Sequence, residues 1–222
     1  MSRAGESWRV NAVLTGGIRP FGPHGEPSAI GKTPREGPLR IGPLGLEDDK
    51  QADPIHHGGV DKAIHHYPHD HYPWWRERLG DHPLLADYGA FGENITTTGL
   101  AEDSICLGDR FRLGTALIEV SQGRQPCWKL GHRFGVKTVP ATVTSSGKCG
   151  WYYRVIESGT VASGDALTLV ARPLPEWTVR RLFALVIGGE GKGETAIFRD
   201  LARTPQLAES WKTRARKLAD AR

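Results

Sequence analysis

The segment DRFRLGTALIEVS, residues 109–121, indicates the fold of most of this chain. Phe111 and Leu113 alternate with arginines before a glycine, and Ile118 and Val120 alternate with polar residues after it. Alternation with a period of two places successive side chains on opposite faces of a strand, and a glycine between two such runs marks a turn. The segment therefore predicts a β-hairpin with one buried face.

Other short segments of the same character surround this hairpin. Further strands are predicted at WRVNAVL (8–14), KAIHHY (62–67), WYYRVIE (151–157) and DALTLVA (165–171). Many short strands with Gly/Pro turns are typical of a β-barrel or a β-sandwich. One helix is predicted among the strands, with Pro68 in its first turn and Tyr72, Trp75 and Leu79 on one face.

The periodicity changes after RPLPEW, residues 172–177. Apolar residues then recur at helical spacing in three runs, which predicts three helices. We expect Thr178 to cap the first helix and the glycine-rich segment 188–194 to end it. Thr204 and Pro205 are expected to begin the third helix, as a cap followed by a first-turn proline.

These patterns predict two domains and a mainly β fold class. A β-rich domain is expected over residues 1–172 and a small three-helix unit over residues 173–222. The glycine-rich segment GGEGKGE between the first two helices could suggest a phosphate-binding loop. It lacks a Ser or Thr after Gly-Lys and follows a helix rather than a strand, so we interpret it as a linker.

Composition narrows the classes of function. The longest apolar run, residues 182–187, is too short to span a membrane. Residues 172–222 hold 11 Lys/Arg and 6 Asp/Glu, a net charge of +5, whereas the rest of the chain has a net charge of −1. The excess of positive charge therefore lies in the helical part. This excess is small and no nucleic-acid motif accompanies it, so specific nucleic-acid binding is not expected. No apolar leader is present, and the three cysteines match no zinc or disulfide pattern, which predicts a reduced cytoplasmic protein.

Cys127, in SQGRQPCWKL at residues 121–130, is the strongest candidate for a reactive residue. We expect it to lie at the end of a strand, and Arg124 and Lys129 lie close to it in the sequence. Neighbouring cations favour the thiolate, which is the reactive form of cysteine and a good ligand for soft metals. A small packed cysteine is the alternative, and the physics of the residues alone favours it because free cysteines are usually buried.

A histidine-rich segment, residues 56–72, raises the question of a metal site. Pro68 interrupts it, so its histidines do not share one helix face, and we find no set of three converging zinc ligands. The Gly-Gly pair after His57 instead predicts a tight turn where the backbone approaches another group closely. His57, Asp61 and Lys62 flank this pair and could bind an anion, although a solvated turn would explain them as well.

Two further segments carry weak signals. Lys32, in AIGKTP, stands among small and turn residues, and alone it would be read as a surface lysine. GENITTTGL, residues 92–100, could recognise a polar heterocycle through Asn94 and backbone groups, or could be a turn followed by a strand.

Together, and in this order along the chain, these motifs are specific enough to indicate one protein family. HGGVDKAIHHYP, FGENITTTGL, VSQGRQPCWKL and GWYYRV, followed by three helices, resemble the MOSC domain family, whose members are related to the C-terminal domain of molybdenum-cofactor sulfurases. The resemblance runs from about Val10 to Trp211. It points to the YiiM-like bacterial branch, which carries a three-helix domain at its C-terminus. It implies a MOSC-type β-barrel with a few helices, followed by that small helical unit.

The resemblance also implies a chemistry. It implies a molybdenum cofactor (molybdopterin), with Cys127 as both the molybdenum ligand and the catalytic residue. It implies reduction of N-hydroxylated compounds such as purine base analogues, a detoxification reaction with electrons from a separate reductase. Because the cofactor carries a phosphate, cations are expected around it. The candidate cofactor-binding residues are Lys32, His57, Lys62, Asn94, Arg124 and Arg133.

Two alternatives remain open from the sequence. One is a non-enzymatic carrier that binds the molybdenum cofactor, or sulfur, and passes it on. The other is a metal-free cysteine hydrolase that uses Cys127 with a histidine such as His57.

Overall fold

Strands and helices account for most of the chain. In a computed structural model, which describes residues 4–53 and 58–221, thirteen strands and six α-helices are present. The strands are β1 (Ser7–Thr15), β2 (Arg19–Phe21), β3 (Glu26–Ser28), β4 (Thr33–Pro34), β5 (Leu39–Gly42), β6 (Gly45–Leu46), β7 (Ile64–His66), β8 (Ile95–Thr97), β9 (Arg110–Leu113), β10 (Ala116–Gly123), β11 (Trp151–Glu157), β12 (Gly159–Val161) and β13 (Ala166–Ala171). The helices are α1 (His71–Leu79), α2 (Trp128–Arg133), α3 (Val139–Ser146), α4 (Val179–Val186), α5 (Thr195–Arg203) and α6 (Glu209–Asp220).

Seven of the strands close into a barrel. Their order is β13-β9-β10-β11-β7-β8-β1, and β13 also pairs with β1, which joins the two edges. The neighbouring pairs are antiparallel except β7 and β8, which run parallel. Closure leaves no open edge in this sheet. The predicted mainly β fold with a barrel is therefore confirmed.

The hairpin of β9 and β10 forms as predicted. Phe111 lies opposite Ile118 and Leu113 lies opposite Ala116 across the two strands. Gly114, with a φ of 54°, makes the turn in the left-handed region that glycine tolerates. The side chains of Phe111, Leu113 and Ile118 are fully buried. Burial of each such side chain is worth about 1.5–3 kcal/mol, so the hairpin contributes directly to the barrel core.

The other predicted strands are present, with one difference. In KAIHHY only Ile64–His66 is a strand, and Val60–Lys62 forms a short 3-10 turn before it. The helix predicted from Pro68 begins later, at His71, because the carbonyl of Pro68 accepts a hydrogen bond from His71 N–H (3.2 Å) in a preceding turn. Tyr72 and Trp75 are buried and Leu79 is partly buried against the same core, so the predicted face is confirmed.

Two helices between β10 and β11 were not predicted. Helix α2 has only six residues and contains Gly131, and α3 is rich in Val, Thr and Ser. Glycine and β-branched residues are poor helix formers, so the sequence gives little helical signal here. The expectation that Cys127 lies at a strand end is consequently wrong, since β10 ends at Gly123 and Cys127 directly precedes α2.

The three predicted C-terminal helices are present, but one of their predicted boundaries is wrong. The Thr178 hydroxyl accepts a hydrogen bond from the N–H of Arg181 (3.2 Å), which confirms the predicted cap of α4. The third helix was predicted to begin at Thr204 and Pro205, and this is wrong. Thr204 closes α5, where its hydroxyl donates to the carbonyl of Asp200 (3.0 Å), and α6 begins at Glu209.

The helices pack against the end of strand β10. A Cβ atom on Gly123 would lie 3.2 Å from the ring of Trp211 and 3.3 Å from that of Phe183, so the helices approach the strand closely. The N–H of Ala208 donates to the carbonyl of Ser121 (3.0 Å). The division into domains at residues 172 and 173 stays a prediction. No helix within the described ranges is long and apolar enough to cross a membrane.

Candidate functional site

A pocket bordered by residues of the barrel strands β7 and β11 brings together segments that are far apart in the sequence. We call it the barrel pocket; it has a cavity volume of about 90 Å³. Five of the predicted site residues line it, namely Lys32, Lys62, Asn94, Arg124 and Cys127. Asp49, His65 and Tyr152 line it as well and were not predicted. His57 lies outside the described residues.

Arg133 is the described candidate that does not line this pocket. Its Nε donates to the carbonyl of Ala90 (2.9 Å) and its Nη2 to the carbonyl of Gly89 (2.9 Å). A Cβ atom on Gly31 would lie 3.5 Å from its Nη1, so Arg133 lies beside the segment that carries Lys32. A role for Arg133 in binding the cofactor stays a prediction.

Lys32 is a buried partner of an ion pair and not the surface lysine that its sequence context allows. Its Nζ donates to Oδ2 of Asp49, and both side chains are less than a tenth exposed. Burial lowers the pKa of Lys32, and the Asp49 carboxylate opposes this shift. The cation therefore sits at the pocket wall with a fixed counter-charge.

Asn94 connects this ion pair to the barrel. Its Nδ2 donates to Oδ2 of Asp49 (2.8 Å) and to the carbonyl of Leu14 (3.2 Å). Its Oδ1 accepts from the backbone N–H of His65 (2.9 Å). The amide thus ties β1, β7 and Asp49 together at the pocket wall, and recognition of a heterocycle by Asn94 stays a prediction.

His65 presents a nitrogen that the fold does not use. Its Nδ1 lies 3.2 Å from the carbonyl oxygen of Gly92, and a carbonyl only accepts, so Nδ1 carries the proton. Burial and the nearby cation of Arg124 hold the pKa of His65 well below its usual value, so the ring is neutral. Nε2 is buried and has no hydrogen-bond partner within residues 4–53 and 58–221. An acceptor lone pair is therefore available beside the pocket.

Arg124 and Tyr152 form another part of the wall. Arg124 follows β10 directly, is 6 % exposed, and its backbone N–H donates to the carbonyl of Gly150 (3.0 Å). Burial raises the pKa of Tyr152, while the charge of Arg124 and its hydrogen bond to the Tyr152 side chain lower it. The His65 ring lies 5.0 Å from the Tyr152 ring, centroid to centroid. A cation, a phenol and an imidazole thus stand side by side.

The three cysteines differ in their surroundings. Cys106 and Cys149 are buried, and neither lines this pocket. Burial, with the nearby Asp109 carboxylate, raises the pKa of Cys106 to about 11, and burial raises that of Cys149 well above its usual value. Both therefore remain neutral thiols near pH 7. Cys127 is half-buried and borders the pocket, so it is the cysteine that a ligand in this cavity could contact.

Two further lysines lie at the pocket, the predicted site residue Lys62 and Lys129, which was noted in the sequence as a neighbour of Cys127. Lys129 Nζ donates to the carbonyl of Pro27 (2.9 Å) in the β2–β3 hairpin. Burial lowers the pKa of Lys62, and the carboxylates of Asp53 and Asp61 oppose this shift. Both lysines line the barrel pocket.

The predicted close approach at the Gly-Gly pair is present, and its partner is Gln51. The N–H of Gly59 donates to Oε1 of Gln51 (3.0 Å), and Gly59 has a φ of 90°. A Cβ atom on Gly58 would lie only 2.2 Å from the same oxygen, so a larger residue would displace Gln51. Gln51 lines the barrel pocket, and the glycine pair shapes this wall.

A second cavity of about 310 Å³ adjoins the first, and we call it the helix-side pocket. It shares Lys62, Arg124, Cys127 and Tyr152 with the barrel pocket. Its opposite wall comes from α6. Cys127 therefore stands between the two cavities. Across the part of the chain that the structure describes, no group of three or more His, Cys, Asp or Glu side chains is arranged to hold a metal ion.

Known proteins share both the sequence and this architecture. Residues 53–168 match the sequence profile of the MOSC domain. Protein YiiM of Escherichia coli is 44 % identical over 160 residues, which cover 72 % of this chain and 71 % of that protein. A crystal structure of YiiM from Geobacillus stearothermophilus superposes with a TM-score of 0.80 at 32 % identity, over 96 % of this chain and 99 % of that one.

The chain thus belongs to the MOSC domain family. Within that family it is similar to the YiiM proteins over almost its whole length, including the C-terminal helices. A protein of Gibberella moniliformis named "Reductase" is 40 % identical over 153 residues, which are 68 % of this chain but 27 % of that protein. The resemblance stated from the motifs is therefore confirmed.

Proposed function

We propose that this protein is a molybdenum-cofactor-dependent oxidoreductase that reduces N-hydroxylated compounds such as purine base analogues. The observation that carries the proposal is the position of Cys127, half-buried between two pockets and close to Arg124 and Lys62. The MOSC family membership and the reductase name of one relative support it, although this chain covers only 27 % of that relative.

The residues around Cys127 suit the cofactor. Molybdopterin carries a phosphate, and Lys32, Lys62 and Arg124 line the barrel pocket. A pterin ring carries N–H donors, and Nε2 of His65 is a buried acceptor without a partner among the described residues. A single protein thiolate suits a metal whose other ligands come from an organic group.

Each of these side chains has a separate task in this proposal. Cys127 holds the metal through its sulfur, and Lys32, Lys62 and Arg124 bind the anionic groups. His65 accepts a hydrogen bond at Nε2 and orients the donor that makes it. The ion pair of Lys32 with Asp49 keeps one cation in place before any ligand arrives.

The proposed reaction is balanced with two electrons and two protons. The N–O bond of R–NHOH breaks, the oxygen leaves as water, and the product is the amine R–NH₂. When bound, the cofactor supplies the redox chemistry, while the protein supplies binding and orientation. The electrons come from a separate reductase protein, which is part of the proposal.

Expression in a host that synthesises the cofactor tests this function. We expect about one molybdenum and one pterin per chain, and reduction of hydroxylaminopurine to adenine with a competent electron donor. Bound molybdenum without turnover of any N-hydroxylated compound would favour the carrier instead. Hydrolase activity in metal-free protein, abolished by thiol alkylation, would favour the cysteine hydrolase.

A further inference from the structure

The helix-side pocket connects the reactive cysteine to the C-terminal helices. Cys127 and Tyr152 line one side of it, and Ser210, Trp211 and Arg214 line the other. Ser210 follows Cys127 by 83 residues and Tyr152 by 58 residues in the sequence. Helix α6 therefore forms a wall of the cavity that opens beside the proposed metal ligand.

This wall is held in place by several contacts. The hydroxyl of Ser210 donates to Oε1 of Gln122 (3.2 Å), and Nε of Arg214 donates to the carbonyl of Val186 (2.7 Å). Trp211 is 2 % exposed and packs near Gly123 at the end of β10. Contacts with the strand that leads to Cys127 give α6 a defined position relative to the sulfur.

The size and charge of the cavity suggest what it binds. Its volume of about 310 Å³ lies at the lower end of the range for small-molecule sites, roughly 300–1,000 Å³. Lys62, Arg124 and Arg214 contribute positive charge, and none of the described residues that line the cavity is acidic. Such a site favours a neutral or anionic ligand rich in hydrogen-bond acceptors and disfavours a cation.

We propose that the helix-side pocket binds the N-hydroxylated base, and that Ser210 and Arg214 on α6 help determine substrate specificity. The anionic end of the cofactor then lies toward Lys32 in the barrel pocket, on the other side of Cys127. A heteroaromatic base offers ring nitrogens as acceptors to Arg214 and a flat apolar face to the wall. This assignment rests on the proposed function, and it gives the three-helix unit a role in substrate recognition.

Two variants of α6 and one matched control test the assignment. In cofactor-loaded protein we expect Arg214→Gln to raise the KM for hydroxylaminopurine about tenfold and Ser210→Ala about threefold, in the range of single hydrogen bonds. The kcat and the molybdenum content should stay at the wild-type level. Arg216→Gln, an exposed arginine on the same helix that pairs with Glu209, should behave as wild type. Melting temperatures identify any variant that fails to fold.

Binding of adenine, the amine product, tests this inference independently of whether the proposed reaction takes place. Calorimetry on the same cofactor-loaded proteins should show about tenfold weaker binding for Arg214→Gln and unchanged binding for Arg216→Gln. If wild type reduces no N-hydroxylated base but adenine follows this pattern, the reaction is wrong and the pocket assignment stands. Unchanged KM and adenine affinity in folded Arg214→Gln and Ser210→Ala would overturn the assignment. Loss of molybdenum from these two variants without a change in KM would also overturn the assignment.

Discussion

Lys32 and Asp49 form an ion pair inside the barrel pocket, with side chains 9 % and 7 % exposed. Removing one partner of a buried pair leaves an uncompensated charge, which costs about 3–5 kcal/mol. We therefore expect Asp49→Asn to lower the free energy of unfolding by about 3 kcal/mol. Asp48→Asn removes the exposed partner of Arg35 and should cost less than about 1 kcal/mol. Urea denaturation of the two variants measures the difference, and equal losses would show that the inner pair is solvated.

Arg124 offers a cleaner test of cofactor binding than Lys32. Charge reversal at Lys32 would place two carboxylates together, so its effect would combine unfolding with loss of binding. We expect Arg124→Gln to weaken cofactor retention at least about tenfold, because a charged hydrogen bond to an anion is lost. Lys212→Gln and Lys217→Gln, on α6, should retain wild-type molybdenum content. Equal molybdenum content in all three variants would show that Arg124 does not bind the cofactor.

His65 can be tested with two substitutions that separate its nitrogens. Asn at this position keeps a donor for the Gly92 carbonyl but has no atom at the position of Nε2. Gln reaches further and can place an amide oxygen there. We expect about fivefold weaker cofactor retention in His65→Asn, equivalent to one hydrogen bond of about 1 kcal/mol, and partial recovery in His65→Gln. Pterin content per folded chain is the measurement, and full retention in His65→Asn would mean that Nε2 accepts nothing.

His66 should make the protein sensitive to acid. Burial lowers its pKa from 6.5 to about 3, and its ring nitrogens lie 3.1 Å from the Tyr153 hydroxyl and 3.0 Å from the Thr97 hydroxyl. The unfolded chain binds a proton at His66 below pH 6.5 whereas the folded chain does not. The free energy of unfolding should therefore fall by up to about 1.4 kcal/mol per pH unit between pH 6.5 and 3.

A substitution identifies this contribution. His66→Gln should reduce the slope of the free energy of unfolding against pH by up to about 1.4 kcal/mol per pH unit, the contribution of one proton. His24→Gln, at an exposed position, should leave this slope unchanged. Denaturation curves of the wild type and of both variants at pH 6 and pH 4 give the slope for each protein. The assignment fails if His66→Gln keeps the wild-type slope.

Local signals in the sequence were sufficient for much of the fold. The alternation around Gly114 identifies the hairpin because one face is buried, and the Thr178 hydroxyl caps α4 as its position suggests. Helices α2 and α3 were missed because their stability comes from packing and not from intrinsic propensity. The start of α6 was misplaced because Thr204 bonds back to α5.

Less of the candidate site than of the fold could be predicted from the sequence. The motif order identified Cys127, Arg124 and Lys32, and the structure places all three at one pocket. The positions of Asp49 and of Nε2 of His65 could not be anticipated, because folding brings them together from separate strands and loops. The contribution of α6 depends on its packing against β10, which has no local sequence signal.

The central claim is that the sulfur of Cys127 binds molybdenum. Serine is close in shape to cysteine, but its oxygen is a much poorer donor to a soft metal. Wild type and Cys127→Ser, produced in a cofactor-competent host, should be compared in molybdenum per chain, melting temperature and reduction of hydroxylaminopurine. Cys106→Ser and Cys149→Ser serve as matched controls, and both should retain activity. We expect Cys127→Ser to remain folded and to lose both molybdenum and activity. Full molybdenum content and full activity in Cys127→Ser would contradict the claim.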